Sequence, residues 1–314
     1  MSKSVLRIIT LASLTGVLVV ALIGSADAQE LDDYLTDADQ ATFGGRQATW
    51  CSFGGQTEFS VVSVEHAGPL VMVEAAGSSQ MVGGGRYSVV DDVGGGIAIS
   101  DWSSTDVSGR YSTASVEAES RLGRDVVVVS VAEGELIRAR MWFDDETGAA
   151  LGSEVYDDTG ELFRLSWMLD FDANARKIYA ALREAGSVYD VVAKTDVKSL
   201  PNTAAGYSLV DTYAGPDESV HFFYGDGLFS FSVFVIDGRI ANSPFADAET
   251  MNVGGRDYRW LLTPSDLWVQ WSGGGLTYVL VGDLPPDHLE EVLPELPLPS
   301  QANILSRFWR GLFG

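Results

Sequence analysis

The sequence has little positive charge, little histidine and almost no cysteine. Its 314 residues include 20 Lys and Arg against 44 Asp and Glu, with 3 His and 1 Cys, and the formal net charge is -24. An excess of acid on this scale repels phosphate backbones, so we expect no nucleic acid partner. Cys51 has no second cysteine with which to form a disulfide or a paired-cysteine metal site, and we expect a buried thiol.

Motifs that mark catalysis are also lacking. The sequence has no G-x-S-x-G elbow, no H-E-x-x-H zinc motif and no histidine close to its cysteine. The histidines His66, His221 and His288 lie in separate segments without metal-ligand spacing. The glycine runs at 83–85 and 94–96 lack the Lys-Ser/Thr ending of a phosphate-binding loop. We therefore predict no catalytic residue, no metal site and no cofactor, which favours a binding protein over an enzyme.

Residues 1–28 have the features of an export signal. Lys3 and Arg7 precede an apolar run at 8–23, and Ala26-Asp27-Ala28 offers small residues at both cleavage positions. The alternative is an uncleaved membrane anchor, but the run is shorter than the roughly 20 apolar residues that span a bilayer. We predict a periplasmic or extracytoplasmic protein that begins near Gln29.

The mature chain reads as strands, because short β-branched and aromatic runs alternate with Gly and Asp turn signals. In the first block the predicted strands are 58–65, 70–74, 86–90, 97–101, 113–122, 125–132, 136–143, 151–156 and 162–170. Acid pairs such as Asp144-Asp145 are expected on solvated turns. Asn174 is a suitable cap for a helix over 175–185. A long antiparallel meander of this kind tends to curl around a core or cavity.

A second, smaller strand block follows a linker. Its predicted strands are 220–224, 228–236, 257–262, 267–271 and 276–281, and Pro285-Pro286 opens a closing helix that ends at 293. In strand 228–236, Phe229 and Phe231 alternate with Ser230 and Ser232, which indicates a half-buried strand. The fold class is therefore α+β and mostly β, with domains at 29–195 and 206–293, a linker at 196–205, and a tail at 294–314.

The tail differs from the rest of the chain. Prolines at 294, 297 and 299 predict an extended spacer, and the residues after it are basic and amphipathic. The apolar positions of the predicted helix include Leu305, Phe308, Trp309, Leu312 and Phe313. This helix either lies in a membrane interface or contacts a partner, or it docks on its own domain.

Five stretches, taken in order, resemble the MucB/RseB family of periplasmic regulators of envelope-stress sigma factors. They are Trp50-Cys51-Ser52-Phe53-Gly54-Gly55, the Gly-Arg strand at 123–129, the run Met141-Trp142-Phe143-Asp144-Asp145-Glu146-Thr147-Gly148 with Asp158-Thr159-Gly160-Glu161, the hairpin at 224–235, and Val281-Gly282-Asp283-Leu284-Pro285-Pro286. The resemblance covers most of the mature chain. It implies a first domain like the LolA/LolB lipoprotein carriers, which is an antiparallel half-barrel with capping helices, and a smaller C-terminal α+β domain.

The resemblance also implies a function. Family members bind the extracytoplasmic domain of a membrane anti-sigma factor and shield it from proteolysis, and lipid relieves that binding. This chain departs from the family pattern in a Gly- and Ser-rich stretch at 74–86, in its acidity and in its C-terminal helix. A lipid or lipoprotein carrier of the cell envelope is the alternative function.

An acidic protein favours a partner segment rich in Lys or Arg, anchored by aromatic side chains. The predicted partner-binding residues are Tyr224, Asp226, Trp260, Trp268 and Trp271. For the tryptophans the alternative is that they belong to the core of the small domain.

Overall fold

The computed structural model describes residues 28–68, 70–75, 86–89, 95–99, 109–174, 200–214, 219–237, 245, 248–264 and 266–300. Within these residues the chain is mostly β, with two antiparallel sheets and few helices, as predicted. Three predicted features lie outside the described residues: the export signal up to residue 27, the helix at 175–185 and the C-terminal helix. In the part that is described, no helix is both long and apolar enough to cross a membrane.

The first sheet consists of two groups of strands joined side by side. Its strands are β1 (Thr42–Phe53), β2 (Gln56–Ala67), β3 (Leu70–Ala75), β4 (Arg86–Val89), β5 (Gly95–Ile99), β6 (Ser112–Arg121), β7 (Arg124–Glu133), β8 (Leu136–Asp144), β9 (Ala150–Tyr156) and β10 (Leu162–Met168). Among the described residues their order is β4-β5-β3-β2-β1-β10-β9-β8-β7-β6. The pairing of β1 with β10, from Gln47 with Met168 to Cys51 with Arg164, joins the strands β1–β5, in which β5 lies between β3 and β4, to the meander β6–β10.

Strand β1 was not predicted over most of its length, because Gly44-Gly45 weakens the strand pattern. The structure shows why a glycine is needed there. A Cβ atom at Gly45 would lie 2.3 Å from the carbonyl oxygen of Asp170. The glycine therefore allows the end of β10 to approach β1.

Helix α1 (Ala28–Gln40) was also not predicted. Its apolar residues Leu31, Tyr34, Leu35 and Ala38 recur at i, i+3, i+4 and i+7, and all of them pack into the main core. The ring of Tyr34 stacks on Phe143 of β8 at 5.4 Å.

The second sheet is smaller. Its strands are β11 (Thr203–Ala204), β12 (Tyr207–Ala214), β13 (Val220–Gly225), β14 (Ser230–Asp237), β15 (Glu249–Val253), β16 (Arg256–Leu262), β17 (Leu267–Gly273) and β18 (Leu276–Gly282). In the described part of the chain they are ordered β11-β12-β13-β14-β18-β17-β16-β15. The short helix α2 (Pro286–Val292) follows, and a 3₁₀ turn at Leu293–Glu295 completes it.

The prediction that β14 is half-buried is wrong. Phe231 and Val233 are buried as expected, but Ser230 and Ser232 on the opposite face are buried as well. The reason is local pairing of the polar atoms: His221 Nε2 lies 2.7 Å from Ser232 Oγ, and the backbone N–H of Ser230 donates to Asp283 Oδ1. Both faces of β14 are therefore buried over residues 230–233.

The prediction of a solvated turn at Asp144-Asp145 is wrong for Asp144, which is 1% exposed. Arg124 donates to both of its carboxylate oxygens, at 2.5 Å and 2.9 Å. Thr147 adds donors from its backbone N–H and its hydroxyl. Burial would raise the pKa of Asp144, but these hydrogen bonds outweigh it and hold the pKa below its ordinary value.

The proline segment after α2 is not a free spacer over its described residues. Trp271 Nε1 donates to the carbonyl of Pro297 at 2.6 Å, and the N–H of Ser300 donates to Ser272. Leu296 is buried. The chain therefore follows β17 up to residue 300.

Candidate functional site

The two sheets meet first at the tip of the β1–β2 hairpin. Gly54 and Gly55 adopt positive φ angles of 57° and 78°, which favour glycine. A Cβ atom at Gly54 would lie 2.7 Å from the ring of Trp260 on β16. Phe53 packs edge-on against the same ring, with centroids 4.8 Å apart. The glycine thus makes room for a tryptophan of the other sheet.

A buried group of polar side chains forms the second contact. We call it the inter-sheet cluster; it consists of Arg110, Tyr111, Glu133, Tyr207, Asp226 and His288. Arg110 and Tyr111 precede β6, and Glu133 is the last residue of β7. Tyr207 begins β12, Asp226 follows β13, and His288 lies in α2.

Arg110 lies at the centre of the inter-sheet cluster. Its Nε donates to Glu133 Oε1 at 2.6 Å, and its Nη1 donates to the carbonyl of Ala205 at 2.9 Å. Its guanidinium also lies over the rings of Tyr207 and Tyr111. One arginine from the first sheet therefore contacts three residues around the start of β12 and the end of β7.

Tyr207, His288 and Glu133 form a relay within the cluster. The hydroxyl of Tyr207 lies 2.7 Å from His288 Nδ1, and His288 Nε2 lies 3.0 Å from Glu133 Oε2. A neutral imidazole with its proton on Nε2 accepts from the tyrosine and donates to the glutamate, whereas Nη2 of Arg110, which lies 2.9 Å from the same Nε2, needs an acceptor there. Burial, followed by the charge of Arg110, lowers the pKa of His288, which favours the neutral form.

This relay has the order of a hydroxyl–histidine–carboxylate triad, but its hydroxyl is not a nucleophile. Tyr207 is fully buried, so substrate cannot reach it. Burial raises its pKa well above the ordinary value, which keeps the hydroxyl protonated. The relay joins α2 to the end of β7 in the first sheet.

Asp226 joins the cluster from the turn between β13 and β14. Its Oδ2 accepts from the hydroxyl of Tyr111 at 2.5 Å, and its Oδ1 accepts from the N–H groups of Leu228 and Phe229. Burial raises its pKa in spite of these donors. The carboxylate thus fixes its own turn and the start of β6 together.

A buried ion pair lies beside the cluster. Arg138 of β8 is 0% exposed, and its Nη2 donates to Asp287 Oδ2 of α2 at 2.5 Å. Its Nε lies 3.3 Å from Glu133 Oε2. Arg138 Nη1 and Asp287 Oδ1 are buried without a hydrogen-bond partner. The position of α2 therefore depends in part on this contact, in which two polar atoms have no partner.

The stretches that resemble the MucB/RseB family supply much of this architecture. Gly54 and Asp226 make the contacts described above, and Asp283 accepts from Arg164 of β10 at 3.2 Å. The other two stretches bond to each other through Arg124 and Asp144. Residues that looked like turn signals in the sequence thus hold the two sheets together.

The first sheet also carries a partly exposed apolar surface, the aromatic face, made of Trp50, Phe59, Val61, Leu165 and Trp167, with the buried Trp142 beside Trp167. The register places these residues in two adjacent rows, since Trp50 is opposite both Phe59 and Leu165, and Gly152 is opposite both Trp142 and Trp167. Phe59 is 61% exposed. The guanidinium of Arg121 lies 3.5 Å from the Trp167 ring centroid. Such a surface can contact an apolar ligand or partner.

Most predicted partner-binding residues are not on the surface. Tyr224, Asp226, Trp260 and Trp271 are buried, and Trp268 is partly exposed. Tyr224 stacks on Phe231 within the core. Their direct part in partner binding stays a prediction. The predicted tail residues Leu305, Phe308, Trp309, Leu312 and Phe313 lie outside the described residues.

Sequence reasoning missed the inter-sheet cluster, because its members are far apart in the chain. A polar residue next to a β-strand end, such as Glu133, is the only local signal, and most such residues are solvated. Cys51 is a free buried thiol as predicted, and burial raises its pKa to about 12. In the described parts of the chain no group of three or more His, Cys, Asp and Glu could hold a metal ion.

His221 gives the protein a measurable pH dependence. Burial lowers its pKa from 6.5 to about 4. Below pH 6.5 the unfolded chain takes up a proton that the folded chain does not, so stability is lost as the pH falls toward 4, by about 3 kcal/mol in all. We expect His221→Asn to lose about 3 kcal/mol less than the unchanged protein over this interval, measured by urea unfolding at several pH values. Equal losses in both proteins would contradict this assignment.

Comparison with known proteins identifies the fold. The chain is similar to the crystal structure of MucB, with a TM-score of 0.50, 20% identity, and coverage of 88% of this chain and 99% of that chain. For the crystal structure of MucB in complex with MucA(peri), the TM-score is 0.48 and the identity 19%, and the match covers 88% of this chain and 100% of that chain. For the complex structure of Pseudomonas aeruginosa MucA/MucB, the TM-score is 0.45 and the identity 19%, and the match covers 88% of this chain and 100% of that chain.

No protein-family model and no curated protein matches the chain. The structural likeness to MucB extends over both sheets, because it covers most of the chain. At this level of identity it establishes the fold. The chain therefore has the fold of MucB, and the resemblance to the MucB/RseB family that the sequence indicated is confirmed at that level.

Proposed function

We propose that this protein is an extracytoplasmic negative regulator of a sigma factor. It binds the outer domain of a membrane anti-sigma factor and shields that domain from proteolysis. The observation that carries the proposal is that three of the five family-like stretches supply contacts between the two sheets, through Gly54, Asp226 and Asp283. Those residues preserve the two-sheet arrangement of the MucB fold.

Shielding in this proposal is steric. The protein covers the cleavage segment of its partner, and no bond is made or broken. Release by lipid requires that the lipid bind the released state more tightly than the partner-bound state, since a ligand with equal affinity for both shifts nothing. The aromatic face is the surface of the first sheet that suits an apolar ligand, because Phe59 and Val61 are exposed there.

Capture from a membrane extract tests the proposal. The exported chain, immobilised from residue 29 to the end, is expected to retain one anti-sigma factor as its main protein. The outer domain of that protein should be cut more slowly by the site-one protease when this protein is added. Bound lipid without any protein partner would overturn the proposal.

That last result would instead support the second candidate function, a lipid or lipoprotein carrier of the cell envelope. The exposure of Phe59 and its neighbours on the aromatic face is the observation that favours it. Identification of lipid extracted from the purified full chain, by mass spectrometry, distinguishes a carrier from a regulator that carries no lipid.

The tail beyond residue 300 is proposed to contact a membrane surface or the partner through Leu305, Phe308, Trp309, Leu312 and Phe313. The structure fixes the chain as far as Ser300, whose N–H donates to Ser272. A chain that ends at Ser300 is therefore the appropriate comparison. We expect the full chain, and not the shortened one, to float with liposomes that contain anionic lipid. Equal flotation of the two chains would remove the membrane proposal.

A further inference from the structure

Strand β6 is the last strand of the first sheet among the described residues. It pairs with β7 on one side, from Ser112 with Ala132 to Arg121 with Arg124. A strand in this position has a row of backbone N–H and C=O groups on its outer side. Such a row is a template for a further strand, which is one of the recurring modes of peptide recognition.

Exposure along β6 changes at its middle. Tyr111 and Thr113, near its start, are buried, and helix α1 also contacts the strand. From Val116 to Ser120 every residue is exposed. At about 3.4 Å per residue this exposed stretch is roughly 17 Å long, which suffices for a strand of ordinary length. We call the segment 115–121 the free edge.

One face of the free edge carries Glu117 and Glu119, with Arg121 at the end of the same face and Arg140 Nη2 3.9 Å from Glu119 Oε1. Glu117 and Glu119 are two residues apart and therefore point to the same side of the sheet. Glu119 accepts from Trp142 Nε1 at 3.1 Å, and Ser115 Oγ donates to Glu117 Oε1 at 3.2 Å. Both carboxylates are thus oriented by neighbours on their own face, while Val116 and Ala118 lie on the other face.

The charges of Glu117 and Glu119 affect which strand can pair with the free edge. If a second copy paired with the free edge in antiparallel register about Ala118, each Glu117 would lie opposite a Glu119 of the other copy. Like charges directly opposite one another destabilise a strand pair, and opposite charges stabilise it. A chain with a net charge of -24 adds to this repulsion. In that register the free edge disfavours its own copy, and the two glutamates favour a basic strand.

We propose that the free edge of β6 binds an extended segment of a protein partner, in which Lys or Arg alternates with β-branched residues, as an additional strand of the first sheet. The basic side chains of that segment lie against Glu117 and Glu119, and its apolar side chains lie beside Val116. The identification of the partner with an anti-sigma factor rests on the proposed function, whereas the strand geometry does not.

A synthetic peptide tests the edge directly. The probe is a fluorescein-labelled nine-residue peptide that alternates lysine and valine, titrated with the full exported chain and followed by fluorescence anisotropy. We expect it to bind, and we expect the same peptide with glutamate in place of lysine not to bind. We also expect Glu117→Lys/Glu119→Lys to weaken binding of the lysine peptide at least tenfold.

The matched control is Glu135→Lys/Glu161→Lys, which changes the net charge equally at two exposed glutamates outside β6. It should alter binding by less than twofold. Glu117→Lys alone leaves the contact between Glu119 and Trp142 in place. It should show part of the loss of peptide binding, which would show that the loss in the double variant is not caused by misfolding. Equal losses in the control and in the β6 variant would overturn the proposal, because the attraction would then be a general charge effect.

Backbone pairing is tested with two further peptides, N-methylated at alternate residues in either phase. One of the two phases removes the donors that face the protein, so we expect that peptide to lose binding. If both methylated peptides bind as well as the parent peptide, the strand proposal is wrong.

The captures from membrane extract keep this proposal separate from the proposed function. If the unchanged chain and the β6 variant retain an anti-sigma factor equally well, the function stands and the edge proposal falls. If neither chain retains one while the lysine peptide still binds, the proposed function falls and the edge proposal stands.

Discussion

Replacing Asp287 by alanine is expected to lower the free energy of unfolding by about 3 kcal/mol. The substitution leaves Arg138, which is 0% exposed, with Glu133 as its remaining anionic neighbour. A buried guanidinium that loses its strongest partner keeps the cost of its desolvation and loses the attraction that offset it. Urea unfolding followed by tryptophan fluorescence measures the loss.

Two comparisons make this prediction specific. Glu290→Ala, at an exposed position of the same helix, should change stability by less than about 0.5 kcal/mol. The double variant Arg138→Met/Asp287→Leu should regain most of the loss, because it removes both charges together. A loss below about 1 kcal/mol for Asp287→Ala would mean that water reaches the pair and that the ion pair does not fix α2.

Phe231→Ala is expected to cost about 4 kcal/mol of stability. Phe231 is 1% exposed and lies in the middle of the second sheet, where its ring stacks on Tyr224 at 4.8 Å and meets Tyr207 edge-on at 5.3 Å. Removing the ring leaves a cavity next to two aromatic residues that cannot fill it. Because Tyr207 also contacts His288, we expect the inter-sheet cluster to be destabilised as well.

The matched control for this prediction is Phe234→Ala on the same strand. Phe234 is partly exposed and stacks on His221, so its removal creates a smaller cavity. We expect about half the loss, measured by urea unfolding with hydrogen exchange of the core amides as a second readout. Equal losses for the two variants would show that the ring of Phe231 is not more tightly packed than that of Phe234.

Local sequence patterns predicted most of the strands, and the reason lies in their turns. The hairpin between β6 and β7 has its two-residue turn at Leu122-Gly123, both with positive φ, as the glycine indicated. Where the pattern was interrupted the prediction failed. Gly44-Gly45 interrupts the strand pattern, so most of β1 was not predicted. Helix α1 was not predicted either, although Leu31 and its neighbours have helical spacing.

The site was less predictable than the fold. Asp144, Asp226 and Ser232 are polar residues in turns or on an apparent solvent face, and the sequence favoured exposure for each. All three are buried, because each meets a partner that is distant in sequence or on another strand: Arg124, Tyr111 and His221 respectively. Burial of a polar group depends on that partner, and no local pattern contains it.

The sequence by itself determined the composition class, the β-rich architecture and the five stretches that resemble one family. These depend on local alternation, on turn residues and on net charge, which are readable within a few residues. Only the tertiary structure decided which acids are buried, that α2 is held by Arg138 and His288, and that β6, which carries Glu117 and Glu119, is the last strand of the first sheet among the described residues. The physical reason is that ion pairing, close packing of glycine against an aromatic ring, and strand order join residues as far apart in the chain as Gly54 and Trp260.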